Sequence, residues 1–450
     1  MRRLIATAFF LFLSPALESM AQSQTSDSDH WPRWRDPDMN GVAADAAPPT
    51  VWSESENIRW KIEVPGSGYA TPIIWGEKLF LLSAVPVDSE AQITAVEEEP
   101  SEDSGRGRRG GRNVSPTTAF EYTVFALNRN DGTVIWKQVA KKELPHQGIH
   151  RTASWSSSSP VTDGEHLIAF FGSQGIFCYD LEGNLQWQKD LGDMDIKMSF
   201  GEGGSPALHG NTVVVNWDHE GDSFIVALDK RTGDEIWRKS RDERTSWSTP
   251  HIVEVNGKPQ AIVNATNRIR AYDLATGEVV WECGGMTGNV IPVPVVSDGI
   301  AYVMSGFRGA ALRAIDLSEA QGDITDGEAI EWSHDRDMPY VPSPLLYEDL
   351  LYAIKGNDGM LSCFDAKTGE VHFESERIEP IREVYSSPVG ANGYVYLFGR
   401  DGEGLVLEKG PDYKVVANNT LEDGFSASPA VVGKDLYLRG HQFLYCVSEN

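Results

Sequence analysis

Eight times along this 450-residue chain a proline follows a serine, threonine or valine and opens a short β-prone run: Pro72, Pro160, Pro206, Pro250, Pro294, Pro344, Pro388 and Pro429. By subtraction, successive anchors lie 88, 46, 44, 44, 50, 44 and 41 residues apart. Residues 204–237 show what one period contains. Four runs, Ser205 to Leu208, Thr212 to Trp217, Ser223 to Asp229 and Glu235 to Trp237, are separated by turns at His209-Gly210-Asn211, His219-Glu220-Gly221 and Arg231-Thr232-Gly233. In the third turn Asp229 can bond its own backbone and Gly233 supplies a positive φ, so the chain reverses and carries Trp237 out on the last strand. A single four-stranded unit cannot bury that indole, whereas copies packed side by side can. A period in the forties with four strands per repeat predicts an all-β, eight-bladed β-propeller of four-stranded antiparallel blades.

The last strand of each period closes on Trp136, Trp187, Trp237, Trp281 or Trp332, with Phe373 and Val415 in the same place in two others. The eighth period has none, because the chain stops just after the run His441 to Val447. A spare last strand, Glu56 to Trp60, precedes the first anchor. The ring is therefore expected to close by pairing this N-terminal strand with the C-terminal blade, removing two exposed sheet edges.

Three further segments complete the expected organisation. Residues 1–21, with Arg2-Arg3, the apolar run Leu4 to Leu13 and small residues at Ser19 and Ala21, fit a cleaved secretory signal too short to span a bilayer. Residues 22–51 form an N-terminal extension, and the propeller takes up residues 52–450. The long first interval holds an insertion at about 86–118, rich in acids and then in arginine and glycine, with nothing suited to a core. It is expected to be a disordered loop between the second and third strands of the first blade. A net charge of −27 disfavours nucleic acid and anionic membranes as partners. Of the four cysteines, Cys178, Cys363 and Cys446 occupy equivalent third-strand positions and read, with Cys283, as small buried hydrophobes.

The strings ALDKRTGDEIW, AYDLATGEVVW (271–281), CFDAKTGEVHF (363–373) and FALNRNDGTVIW (125–136) closely resemble the pyrroloquinoline-quinone-type propeller repeat. That resemblance spans about residues 52–448 and is specific for fold, loose for function. It implies one of two known kinds of work: quinoprotein dehydrogenases, which hold the quinone with calcium, or the BamB-type outer-membrane assembly factor, a binding scaffold. The opening Trp31-Pro32-Arg33-Trp34-Arg35-Asp36-Pro37 also looks like that of exported bacterial propellers of undefined role. The dehydrogenases stack their quinone on a disulfide between adjacent cysteines, and no two cysteines here are adjacent. The expectation is thus an exported, non-enzymatic binding or scaffold propeller without a cofactor, with a quinone- or metal-dependent oxidoreductase as the alternative.

In a four-stranded meander, the link to the next blade and the loop between strands two and three emerge on one face. The opposite face consists of Asp-x-x-Thr-Gly turns. On the link face Arg268, Arg308, Lys355, Arg400 and Arg439 fall at nearly the same position of five successive blades, with Trp155, Trp247, Tyr340 and Tyr385 in the links. Arginine pairs bidentately with carboxylate or phosphate and flat aromatic sides suit a sugar, so these nine residues form a candidate site for an acidic glycan, an acidic peptide or a protein partner. The plain alternative is that carboxylates of their own loops neutralise the cations. A second candidate is a metal site from His146, His150, Asp218, His219 and Glu220, ligand types suited to a borderline metal such as zinc. No nucleophile elbow, HExxH or P-loop is present.

Overall fold

Each of the eight proline anchors immediately precedes the first strand of a blade's meander, from Ile73–Trp75 in blade 1 to Ala430–Val432 in blade 8. The computed structural model describes residues 29–35, 38–87, 113–114 and 116–449. The expected signal, residues 1–21, and most of the 86–118 insertion lie outside the described residues. Blade 3 is representative, with Ala207–His209, Thr212–Trp217, Phe224–Asp229 and Glu235–Ser240 hydrogen-bonded in antiparallel sequence from axis to rim. Blade 8 consists of Ala430–Val432, Asp435–Arg439 and Phe443–Val447, and its outer strand is Ile58–Glu63, paired antiparallel so that Trp60 faces Cys446. The ring is closed by the N-terminal strand.

The rim tryptophans explain why the turns read as they do. Trp60, Trp136, Trp187, Trp237 and Trp332 each donate an indole N–H to a carbonyl in the next blade's last turn, at 3.0, 3.0, 2.7, 2.8 and 3.1 Å. Each ring also covers that turn's glycine. Gly233 has φ of +74°, and a Cβ there would lie 2.7 Å from the Trp187 ring, so the turn demands glycine twice over. Trp281 breaks the pattern because blade 5 replaces the tight turn with an excursion. Gly322–Asp323 in that excursion adds a parallel fifth strand to Val279–Cys283 of blade 4.

The residue before each proline has its own task. The N–H groups of Thr71, Ser159, Ser205, Val293, Ser343 and Ser387 donate to the hydroxyl of the corresponding residue one blade on, at 2.9, 2.9, 2.8, 3.1, 2.9 and 2.9 Å. Thr71 Oγ1 closes the circle on Ser428 O at 2.9 Å. The ring of clasps is interrupted at Val293, which has no hydroxyl to offer.

Two features exceed the sequence reading. First, the extension is part of the fold: His30–Trp31 pairs with blade 1 and Val42–Ala43 runs parallel to the inner strand of blade 7. Between these strands Thr162 of blade 2 donates to Pro32 O at 2.9 Å and Leu346 of blade 6 to Asn40 O at 3.3 Å. Trp31 and Arg35 are buried. Second, regular pairing reaches into both ends of the expected insertion. The blade 1 strands run to Pro86 and from Phe120, Val87 N donates to Ala119 O at 3.0 Å, and Asn113–Val114 pairs with Ile149–His150. All four cysteines are buried and free.

Candidate functional site

Because the inner strands start at the link face, their hydroxyl clasps and the links above them enclose an axial funnel of about 410 Å³. Its floor is Trp34, from the N-terminal extension, together with Thr71, Ser159, Ser205, Thr249, Ser387 and Ser428 of the clasp ring. Its walls are aromatic: Tyr69, Phe200, Trp247, Phe307, Tyr340 and Tyr385. These rings are fixed by their own polar ends. Trp247 donates its indole N–H to Gly201 O at 2.8 Å, and the Tyr385 hydroxyl donates to Thr152 Oγ1 at 3.2 Å, joining links 233 residues apart. Flat faces around a hydroxyl-rich base suit a polyhydroxylated or aromatic small ligand.

Titratable groups sit in two sectors. Glu202, between blades 2 and 3, accepts from Ser173 N at 2.7 Å and from Ser173 Oγ, and burial pushes its carboxyl above the ordinary range despite these bonds. It also borders a side cavity of about 20 Å³ lined by Tyr122, His146, Trp155 and Gln174. In the sector of blades 7, 8 and 1, His441 Nε2 meets Ser426 Oγ at 2.9 Å, and Arg400 Nε donates to the same hydroxyl at 3.2 Å. Burial, and then Arg400, lower the His441 imidazole. The same two causes, with Arg151 between them, lower His150.

Of the aromatic candidates, Trp247, Tyr340 and Tyr385 line the funnel. Trp155 packs in a tilted contact with Phe120 at 4.6 Å and faces the side cavity instead. The five cations are not brought together on the axis. Arg268 bonds Glu282 and Asp323 at 3.1 and 2.9 Å, Lys355 bonds Asp337 at 2.9 Å, and Arg400 bonds Glu383 at 3.2 Å. In a chain with this many acids, Arg268, Lys355 and Arg400 each meet a carboxylate before reaching the centre. Two still touch funnel walls: Arg400 lies 4.5 Å over the Tyr385 ring, and Arg308, with no ion pair among the described residues, lies 5.2 Å from the Phe307 ring. Arg439 is buried at a strand end.

The five metal-ligand candidates do not share a coordination sphere. Asp218 is locked to Arg241 at 2.7 Å, both side chains fully buried, and Glu220 accepts from Thr245 Oγ1 at 2.8 Å. His219 Nδ1 accepts from Asp195 N at 3.0 Å, His146 Nε2 meets Met194 O at 2.8 Å, and His150 Nδ1 meets Thr152 Oγ1 at 2.8 Å. Among the described residues no group of three or more His, Cys, Asp or Glu is placed to hold a metal ion. Held this way, these five side chains do not form a calcium site beside a quinone. Sequence reasoning missed Trp34, Tyr69 and Phe307. The Trp-Pro-Arg-Trp opening was visible, but nothing local says that it threads the ring.

Comparison with known proteins agrees with this architecture. The family described as outer membrane protein assembly factor BamB matches residues 42–216 and 221–449. The chain belongs to the BamB-type propeller family. A BamB from Moranella endobia is 25% identical over 206 residues, 41% of this chain and 50% of its own length. Tetrathionate hydrolase of Acidithiobacillus ferrooxidans is 22% identical over 272 residues, 56% of this chain and 48% of its own length. The chain therefore spans about half the length of the curated relatives it matches. The crystal structure of BamB from Moraxella catarrhalis superposes with a TM-score of 0.55 at 16% identity, covering 72% of this chain and 91% of that one, which shows the shared fold. Among the described residues no helix is long and apolar enough to cross a membrane.

Proposed function

We propose that this BamB-type propeller is an exported, non-enzymatic binding protein that holds a small polyhydroxylated ligand, the end of an acidic glycan, in the axial funnel of its link face. The observation that carries this reading is the funnel itself, where aromatic walls stand over a floor of Trp34 and clasp hydroxyls. Arg308 and Arg400, stacked on wall rings, supply positive charge at two points of the rim. Action in the cell envelope is supported by the apolar N-terminal run and by the family. A second reading, a scaffold gripping a protein partner on the same face, is favoured by that family, whose description is an outer-membrane assembly factor.

Calorimetric titration with a panel of neutral and acidic oligosaccharides tests the first reading. The parent is expected to bind an acidic member, and a Trp247→Ala, Tyr340→Ala double variant to lose that binding. Absence of binding by the parent across the panel sinks the glycan reading and leaves the scaffold reading in its place.

A further inference from the structure

Arg241 and Arg439 are both buried, and the fold treats their guanidinium groups differently. Arg241 is held by both oxygens of Asp218, at 2.7 and 3.0 Å, and by the Tyr272 hydroxyl. Arg439 ends the strand Asp435–Arg439 in blade 8 and is 2% exposed, yet none of its Nε, Nη1 and Nη2 atoms has a hydrogen-bond partner. A buried charge without hydrogen bonds is costly, and where one occurs in a native fold an unseen ion or water commonly accounts for it. The nearby carboxylate does not serve. Asp423 influences Arg439 electrostatically, but its oxygens already accept the backbone N–H groups of Gly424, His441, Gln442 and Phe443.

The space beside Arg439 is chemically consistent. Tyr69, a wall of the funnel, feels both Arg400 and Arg439, and the His441 ring lies 5.2 Å from it. His441 and Arg400 in turn share Ser426, another lining residue, at 2.9 and 3.2 Å. Two arginines, a histidine, a hydroxyl and a phenol thus gather in one sector, with Asp423 saturated by backbone and Glu383 half exposed outside it.

We propose that Arg439 and Arg400 form an oxyanion site in the funnel wall between blades 7, 8 and 1, reached past Tyr69, that takes a carboxylate, phosphate or sulfate group. Burial draws the Arg439 guanidinium down to about 10, the state that a bound anion relieves. The site deepens the funnel reading by naming what part of the ligand enters this sector, but it binds an inorganic anion whether or not a glycan occupies the funnel.

The test compares the melting temperature of the parent and of Arg439→Met in low-salt buffer and across a sodium sulfate titration. A sulfate bound to the native state gives a saturable rise, whereas general salting effects act on both proteins alike. The expected result is a saturable rise in the parent only, with Arg439→Met melting at or above the parent before sulfate is added because it lacks the unpaired charge. Equal responses in the two proteins overturn the proposal. Should Arg439→Met not fold, a high-resolution crystal structure of the parent grown in sulfate decides: an anion on the Arg439 guanidinium upholds the site, and water alone overturns it. A second arm separates the sources, since Trp247→Ala should retain the sulfate response while losing affinity for D-glucuronate. Sulfate binding without any glycan binding would refute the funnel reading and leave the anion site intact.

Discussion

The indole N–H of Trp34 donates to Ser428 Oγ at 3.3 Å, joining residues 394 positions apart. Through this bond the N-terminal extension becomes the floor of the funnel, resting on a hydroxyl that also clasps blade 8 to blade 7. Trp34 is only partly buried and outside the blades, so Trp34→Ala should leave the melting temperature almost unchanged. Loss of a stacking face is expected to weaken glycan binding about tenfold, a change of about 1.4 kcal/mol that calorimetry reads directly.

Ring closure concentrates on Trp60. Its ring packs at 6.0 Å from Tyr437, and its N–H reaches Arg129 O in blade 1 at 3.0 Å. Trp60→Ala should therefore cost about 3 to 5 kcal/mol, as for other large-to-small core changes. Denaturant unfolding checks this, and an unchanged midpoint would show that closure contributes nothing.

The Asp218–Arg241 pair is fully buried, and Ser246 Oγ adds a bond to Asp218 at 2.6 Å. Removing the carboxylate alone strands a guanidinium, so Asp218→Ala should cost about 3 to 5 kcal/mol. The double variant Asp218→Leu, Arg241→Met removes both charges and should lose much less. Equilibrium unfolding of the two proteins separates these outcomes.

His251 gives the stability an acid limb. Burial lowers its imidazole from 6.5 to about 4, and in the neutral form its Nδ1–H donates to Pro294 O at 2.8 Å. Between those values the unfolded chain binds the proton and the folded chain does not. The contribution is therefore complete above about pH 6.5 and lost as pH falls toward 4, a change of about 3 kcal/mol. His251→Gln should show a shallower fall of melting temperature over that window.

Repeats made the fold legible. A proline, a turn glycine and a rim tryptophan recur because each blade solves the same packing problem, so their spacing gives both blade number and the closing strand. The link face could also be named, since meander topology alone fixes which loops share a side. What surrounds the axis was not legible. Trp34 comes from outside the repeat frame, and the side-chain direction of Arg439 depends on a strand end that spacing does not specify. Tyr69 was within reach of the repeat, since it precedes Pro72 by three residues as Trp247 and Tyr385 precede Pro250 and Pro388, but it was passed over. The five aligned cations look like one feature along the chain, but Arg268, Lys355 and Arg400 meet carboxylates supplied by other segments, which sequence position does not reveal.

On the proposed function, ligand enters the link face and rests in the funnel. Hydrogen–deuterium exchange, with and without a short oligogalacturonate, tests it most directly. Protection is expected to be confined to the links at 150–159, 200–205, 247–249, 340–341, 385–387 and 426–428, with the Asp-x-x-Thr-Gly turns of the opposite face unchanged. Protection on that opposite face, or none anywhere, would contradict it.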